Sequence, residues 1–164
     1  MDLHSFLSSL DLAADWVGLR SVKEHMTVRC ARNGNFDPLT ISQDEGIMVE
    51  VMLAGQFAYA ATNDLSPKGV QQAANRALAQ AKAFQKHQLF SFESAARPPS
   101  RGTFKSPVHI LLPFAEANIF NELVLELSHD LKINEKIINT LAMLVSIEQD
   151  VGFVSSNGAD FRQT

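Results

Sequence analysis

Histidine, cysteine and carboxylate side chains carry most of the chemistry a protein can do, so their spacing comes first. The five histidines are His4, His25, His87, His109 and His129. None has another histidine four residues away, so the paired imidazoles of a His-Glu-x-x-His zinc helix are absent. His129 adjoins Asp130, but neighbours on a helix point in different directions. Each histidine reads as a surface or strand-edge residue. Cys30 is the one cysteine. It excludes an internal disulfide, offers no second metal ligand, and reads as a small half-buried hydrophobe on a strand. There is no Gly-x-Ser-x-Gly elbow. Neither glycine-rich phosphate cradle occurs. Asp44, Glu45 and Glu50 are close in sequence, and the first two belong to an expected turn. Glu50 is different, because it alternates with Met48 and Met52 on one strand face. It is either a solvent-facing or paired strand residue, or it belongs with Met48 and Met52 to a peptide or partner contact. No catalytic, cofactor-binding or metal-ligating residue is assigned.

The elements that would position these residues follow from periodicity. Leu3, Phe6, Leu7 and Leu10 share one face of a short helix over residues 3–10. From Trp16 the pattern is that of a strand, with Met26, Val28 and Cys30 alternating with Thr27, Arg29 and Ala31. Asn33-Gly34 is a strong turn signal, since both residues tolerate positive φ. Residues 35–43 suggest a weaker returning strand, with Pro38 at an edge or bulge. Asp44-Glu45-Gly46 reads as the next turn. Ile47, Val49, Val51 and Leu53 then point to one side of a strand, and Met48, Glu50 and Met52 to the other. Gly55 closes a turn into a second strand, where Phe57, Tyr59 and Ala61 alternate with Gln56, Ala58 and Ala60. Ser66 is placed to cap a helix that Pro67 begins. Val70, Ala73, Ala74, Ala77, Leu78, Ala81 and Phe84 form its apolar stripe.

Residues 88–107 read as a long internal loop, with polyproline and turn character around Arg97-Pro98-Pro99. Val108, Ile110 and Leu112 predict a short strand. A second long helix follows, with Ile119, Phe120, Leu123, Val124, Leu127 and Leu131 on its buried face. Residues 137–147 favour a strand by their β-branched content, although Asn134-Glu135-Lys136 could open a third helix. Residues 152–155 resume as strand, and Asn157-Gly158 predicts a hairpin turn. A returning strand at 159–163 has only begun when the chain stops at Thr164, which suggests a polypeptide that continues. The expected class is α+β: an antiparallel β-meander sheet packed by two long amphipathic helices, plus a short N-terminal helix.

Composition narrows the partners. The chain has 164 residues, 46% hydrophobic and 20% charged, which is the balance of one globular domain with a real core. Its formal net charge of -4 argues against nucleic acid, whose phosphates demand clustered Lys and Arg. Lys82, Lys86 and His87 fit the basic bias of a helix C-terminus. Arg97, Arg101 and Lys105 fit a solvated linker. The Met-Asp-Leu-His-Ser-Phe start lacks the basic and apolar regions of a secretory signal, and no apolar run is long enough for a membrane span. A cytoplasmic location with no membrane partner is the expectation.

The order and spacing of several segments resemble the N-terminal domain of the TldD/PmbA family, once described as modulators of DNA gyrase and regarded as zinc metallopeptidases. They are Asp15-Trp16-Val17-Gly18-Leu19-Arg20, Arg32-Asn33-Gly34 and Gly46-Ile47-Met48-Val49-Glu50-Val51. The run Phe57-Ala58-Tyr59-Ala60-Ala61-Thr62-Asn63-Asp64-Leu65 before the long helix, and Val154-Ser155-Ser156-Asn157-Gly158 late in the chain, complete the set. This sequence departs from the family pattern at Glu50, where many members carry arginine, and at Ala58, where many carry glycine. The resemblance implies an α/β domain that helps form a homo- or heterodimer with another TldD/PmbA-type chain and the chamber around its active site. It implies zinc in a later domain, none in these residues, and unfolded or extended peptides as substrates. The chain would then be a scaffold and substrate-channel domain of a TldD-type peptidase. The alternatives are a non-catalytic PmbA-type partner subunit and a stand-alone α/β interaction module.

Overall fold

A computed structural model of the chain describes residues 2–107 and 117–164. In chain order these form α1 (Leu3–Ser9), β1 (Trp16–Arg32), β2 (Asn35–Phe36), β3 (Thr40–Leu53), β4 (Gln56–Thr62) and α2 (Pro67–Phe84). Then come β5 (Arg101–Phe104), α3 (Ala117–Asp130), β6 (Leu141–Ser155) and β7 (Asp160–Gln163). Among the described residues the strands run in the order β4-β3-β1-β6-β7-β5, with β2 paired to β1. The class is α+β with a short N-terminal helix. The sheet is mixed rather than a pure meander, because β5 and β7 run parallel. The chain divides into two compact units, one of Met1–Lys23, Asp44–Ser106 and Gln149–Thr164, the other of Glu24–Gln43 and Pro107–Glu148.

In the first unit the β3–β4 hairpin is set by local chemistry. Ala54 and Gly55 both have positive φ, at 48° and 74°, and Leu53 pairs with Gln56 across a two-residue turn. That turn twists in the sense the strands require. The register sets Val49 opposite Ala60 and Val51 opposite Ala58. Ile47, Val49 and Val51 therefore share a buried face, which Val70, Ala73, Ala74 and Ala77 of α2 cover. Alanine at those helix positions lets the helix backbone come close to the sheet. Ser66 caps the helix, its Oγ accepting from Gly69 N at 3.1 Å, with Pro67 following it. Phe84, expected on the stripe, is 49% exposed, because it stands at the helix end. Leu3 is buried in the same core, with Phe6, Leu7 and Leu10 partly buried against it.

The second unit is built around the Asn33-Gly34 turn, where φ is 50° and 74°. Asn33 N donates to Thr140 O at 3.1 Å, and Thr140 N donates to Asn33 Oδ1 at 2.7 Å. Gly34 N donates to the buried Ser128 Oγ at 3.1 Å. A small core of Ala31, Val124 and Ala142 lies beside this polar knot, with Leu125 and Leu144 against it. This revises the expected buried face of α3 in part, since Val124 is buried as expected but most of its companions are not. Val124 and Ser128 turn inward, whereas Ile119, Leu123, Leu127 and Leu131 are exposed. The hydroxyl of Ser128 takes the Gly34 N–H, so hydrogen bonding to the turn decides which face docks.

Other expectations are also revised. The strand after the Asn-Gly turn is only the two residues of β2, and β3 begins at Thr40. Asp44-Glu45-Gly46 is not a turn but lies inside β3, whose place beside β1 in the sheet overrides local propensity. A Cβ on Gly46 would meet Thr62 O at 3.0 Å, so the glycine serves a close strand approach. The segment 88–107 is not structureless, since β5 pairs with β7 from Arg101↔Asp160 to Phe104↔Gln163. Residues 141–155 form one continuous strand, and no helix opens at Asn134. The expected strand at Val108, Ile110 and Leu112 lies outside the described residues.

Candidate functional site around Glu50

The face of the hairpin turned away from α2 holds the unusual chemistry. Register puts Glu50 opposite Tyr59 and Met52 opposite Phe57. Met48, Glu50 and Met52 share that face, as alternation requires. Glu50 is only 4% exposed, and Met52 is buried as well. A buried carboxylate needs a cation or donors close by. Arg97 supplies them: its Nε and Nη2 both donate to Glu50 Oε1, at 2.9 and 2.5 Å. The guanidinium carbon lies 4.8 Å from the centroid of Phe57, close enough for a cation–π contact. Arg97 Nη2 also reaches Tyr59 Oη at 3.4 Å. Arg97 is thus not the solvated linker residue its sequence suggests. In this structure the partner of Glu50 is the chain's own Arg97.

The electrostatics follow from this contact. The hydrogen bond to Glu50 holds the Arg97 guanidinium above its ordinary pKa. Burial pushes the Tyr59 hydroxyl above 10.0, and the negative charge of Glu50 beside it adds to the shift. Both shifts favour the protonated forms, leaving a neutral phenol beside a closed ion pair.

An aromatic and polar frame surrounds the pair. Trp16 meets Phe57 edge-on at 5.9 Å, and Phe57 meets Phe92 at 5.3 Å. Phe92 and Phe90 are 5.1 Å apart. Phe153 lies 6.4 Å from Trp16, and a Cβ on Gly18 would strike the Trp16 ring at 2.5 Å. The Asn-Gly turn near the end of the chain ties this frame together. Asn157 Oδ1 accepts from Trp16 Nε1 at 2.9 Å, and its Nδ2 donates to Arg97 O at 2.7 Å. Sequence reasoning singled out Glu50, Met48 and Met52 but missed Arg97, Trp16 and Asn157 as their surroundings. The Asn157-Gly158 turn was a legible signal. Nothing in the local pattern around Arg97 joins it to a strand 47 residues earlier.

Among the described residues the histidines do not converge. His4 Nε2 lies 3.0 Å from Asp160 Oδ2, and His25 Nδ1 lies 3.3 Å from Gln43 Nε2. His129 does reach its neighbour, with Nδ1 3.6 Å from Asp130 Oδ1 in an exposed contact. His109 is outside the described residues. No group of three or more His, Cys, Asp or Glu side chains among the described residues could hold a metal ion. The described residues therefore do not fit a zinc centre, and no chemical step is assigned to one here. In this structure the buried Glu50 carboxylate and the Phe57 ring together hold the chain's own Arg97 guanidinium.

This architecture, an α+β domain with a capped alanine-rich helix over a β-hairpin, is found in solved proteins. The chain is similar to TldE from Thermococcus kodakarensis, with 12% identity and a TM-score of 0.65 over 98% of this chain and 35% of that one. It is also similar to a candidate modulator of DNA gyrase from Bacteroides thetaiotaomicron, with 16% identity and a TM-score of 0.70 over 97% and 37%. A third likeness is to a candidate DNA gyrase modulator from Thermotoga maritima, with 13% identity and a TM-score of 0.58 over 90% and 32%. The chain spans about a third of the length of these solved chains. No curated protein matches it. Residues 17–81 match the family described as PmbA/TldA metallopeptidase domain 1. That matched segment takes in the β3–β4 hairpin and most of α2.

Proposed function

We propose that this chain is the scaffold and substrate-channel domain of a TldD-type zinc metallopeptidase acting on unfolded or extended peptides, and that it does not cleave them itself. The observation that carries this reading is the match of residues 17–81 to the first domain of PmbA/TldA metallopeptidases. A physical route to peptide handling accompanies it. β4 ends the strand order, and a terminal strand can add an extended peptide through main-chain hydrogen bonds. One carbonyl of β4, that of Ala61, is already taken by Arg76 Nη2 at 2.9 Å. A dimer with a second TldD/PmbA-type chain and a cytoplasmic location belong to the same reading. Among the described residues no helix is long and apolar enough to cross a membrane.

The test is the length and zinc content of the protein expressed from its native gene. A longer product with about one zinc per chain, held by a histidine-glutamate helix, is expected. A longer product without zinc would make the chain part of a partner subunit. A product ending at Thr164 would overturn the peptidase reading in favour of a small binding module.

A further inference from the structure

The Glu50 face is closed by an unusual element. Glu50 lies on β3, on the same face as Met52 and Phe57, and its guanidinium partner comes from a segment with little regular structure. Between His87 and Arg101 only Ser94–Ala96 form a helical turn. The segment is held by few polar ties. Phe92 N donates to Gly55 O at 2.9 Å, and Gln56 Nε2 donates to Phe90 O at 2.7 Å. Asn157 donates to Arg97 O, and Arg97 grips Glu50. The segment also keeps apolar groups in solvent: Leu89 is fully exposed and Phe90 is 67% exposed. Were the segment to leave, Glu50 would lose the cation that neutralises it and Phe57 the guanidinium beside its ring. The face therefore calls for a replacement cation.

We propose that the Glu50 face is a receptor for an arginine-bearing extended segment of another polypeptide, and that residues 88–97 are a strap which that segment displaces. The fitting ligand presents a guanidinium to Glu50 with its plane over Phe57, and an aromatic side chain upstream in the place of Phe92. Arginine fits better than lysine, because an ammonium has neither the planar fork nor the stacking surface. The strap sets the threshold, since binding in trans is weakened by the fraction of time the strap is down. Charge complementarity, not zinc, carries this inference, so it goes beyond the peptidase reading and stands or falls separately from it.

The probe is a fluorescein-labelled peptide with the sequence of residues 89–98, Leu-Phe-Ser-Phe-Glu-Ser-Ala-Ala-Arg-Pro, followed by anisotropy. An Arg97→Ala chain should bind it about tenfold or more tightly than the unmodified chain, because the competitor in cis is weakened. Replacing the peptide's arginine with alanine, or Glu50 of the chain with Gln, should each weaken binding about tenfold or more, the value of a charge-assisted contact. No binding, or equal affinity for the arginine and alanine peptides, would overturn the proposal. Should Arg97→Ala fail to fold by near-ultraviolet circular dichroism, hydrogen exchange on the unmodified chain decides. Saturating peptide should speed exchange at the Phe92 amide while β3 stays protected, and unchanged exchange at Phe92 would sink the displacement. A dimer that forms on concentration and is dissociated by the peptide would assign the occupant to a second copy and overturn its assignment to another polypeptide.

Discussion

The two faces of the β3–β4 hairpin are closed in opposite ways. One carries Ile47, Val49 and Val51 under the alanine stripe of α2, with no charge among them. The other carries Met52, Phe57 and Glu50 under a strap held by one ion pair and a few hydrogen bonds. The first face is stable because apolar area leaves water, at about 25 cal/mol per Å². The second spends part of that gain on a buried carboxylate and recovers it only with Arg97 in place. A helix closes a face permanently, whereas a strap with one electrostatic anchor can be exchanged.

Deleting part of the first face should have the largest effect. Ile47→Ala should destabilise the chain by about 2–5 kcal/mol, through lost transfer energy and the cavity left behind. Urea unfolding followed by far-ultraviolet circular dichroism would measure it, and a loss well below this range would mean that α2 can collapse onto the gap. On the second face, Arg97→Ala should cost about 1.5–3 kcal/mol by stranding Glu50. The arginine side chain is 40% exposed, so solvent screening pulls the value toward the low end of that range. The sharper comparison is the double replacement Arg97→Met with Glu50→Met, which makes the second face apolar like the first. It should be within about 1 kcal/mol of the unmodified chain, or more stable, since an apolar pair often replaces a buried ion pair without loss. A large loss in the double variant would show that the pair holds the strap in a way packing cannot replace.

Ser66→Ala should cost about 1 kcal/mol, because the Gly69 N–H loses its capping oxygen. Thermal melts would detect it, and a null result would mean water caps the helix equally well. The smallest effect is a titration. Tyr59 is the one tyrosine, so ultraviolet absorbance reads it alone. Its pKa should lie above 10.0 in the folded chain and fall toward that value in Glu50→Gln, with burial keeping part of the shift. The sign for stability follows: a folded-state pKa raised above the unfolded value adds stability that is full below 10.0 and is lost as pH rises through the folded value. An unshifted titration would mean that the hydroxyl is not held beside the ion pair.

Legibility in the sequence divided along the same line. The first face was readable because each of its signals is local. Alternation named Ile47, Val49 and Val51, Gly55 named the turn, and Ser66-Pro67 named the helix start. Glu50 was visible as an oddity on its strand, but its partner was not. Elsewhere Asp44-Glu45-Gly46 had the residues of a turn and became strand once β3 took its place in the sheet. The helix at 117–130 was legible as a helix and Val124 as a core residue, yet Ile119, Leu123, Leu127 and Leu131 of the same expected face are exposed. Ser128 bonds to the Gly34 N–H at 3.1 Å, and a hydrogen bond to a turn 94 residues away leaves no trace in a hydrophobic pattern.

By itself the sequence determined the α+β class, the three glycine-bearing turns at Gly34, Gly55 and Gly158, the capped alanine-rich helix and the two-sided β3 strand. These depend on φ preferences, capping chemistry and side-chain periods that act within a few residues. Only the tertiary structure decided that Arg97 closes on Glu50, that Asn157 links Trp16 to the strap, and that β5 pairs parallel with β7. Those contacts join residues dozens of positions apart, and they form because buried charges and backbone groups must find partners wherever the fold brings them.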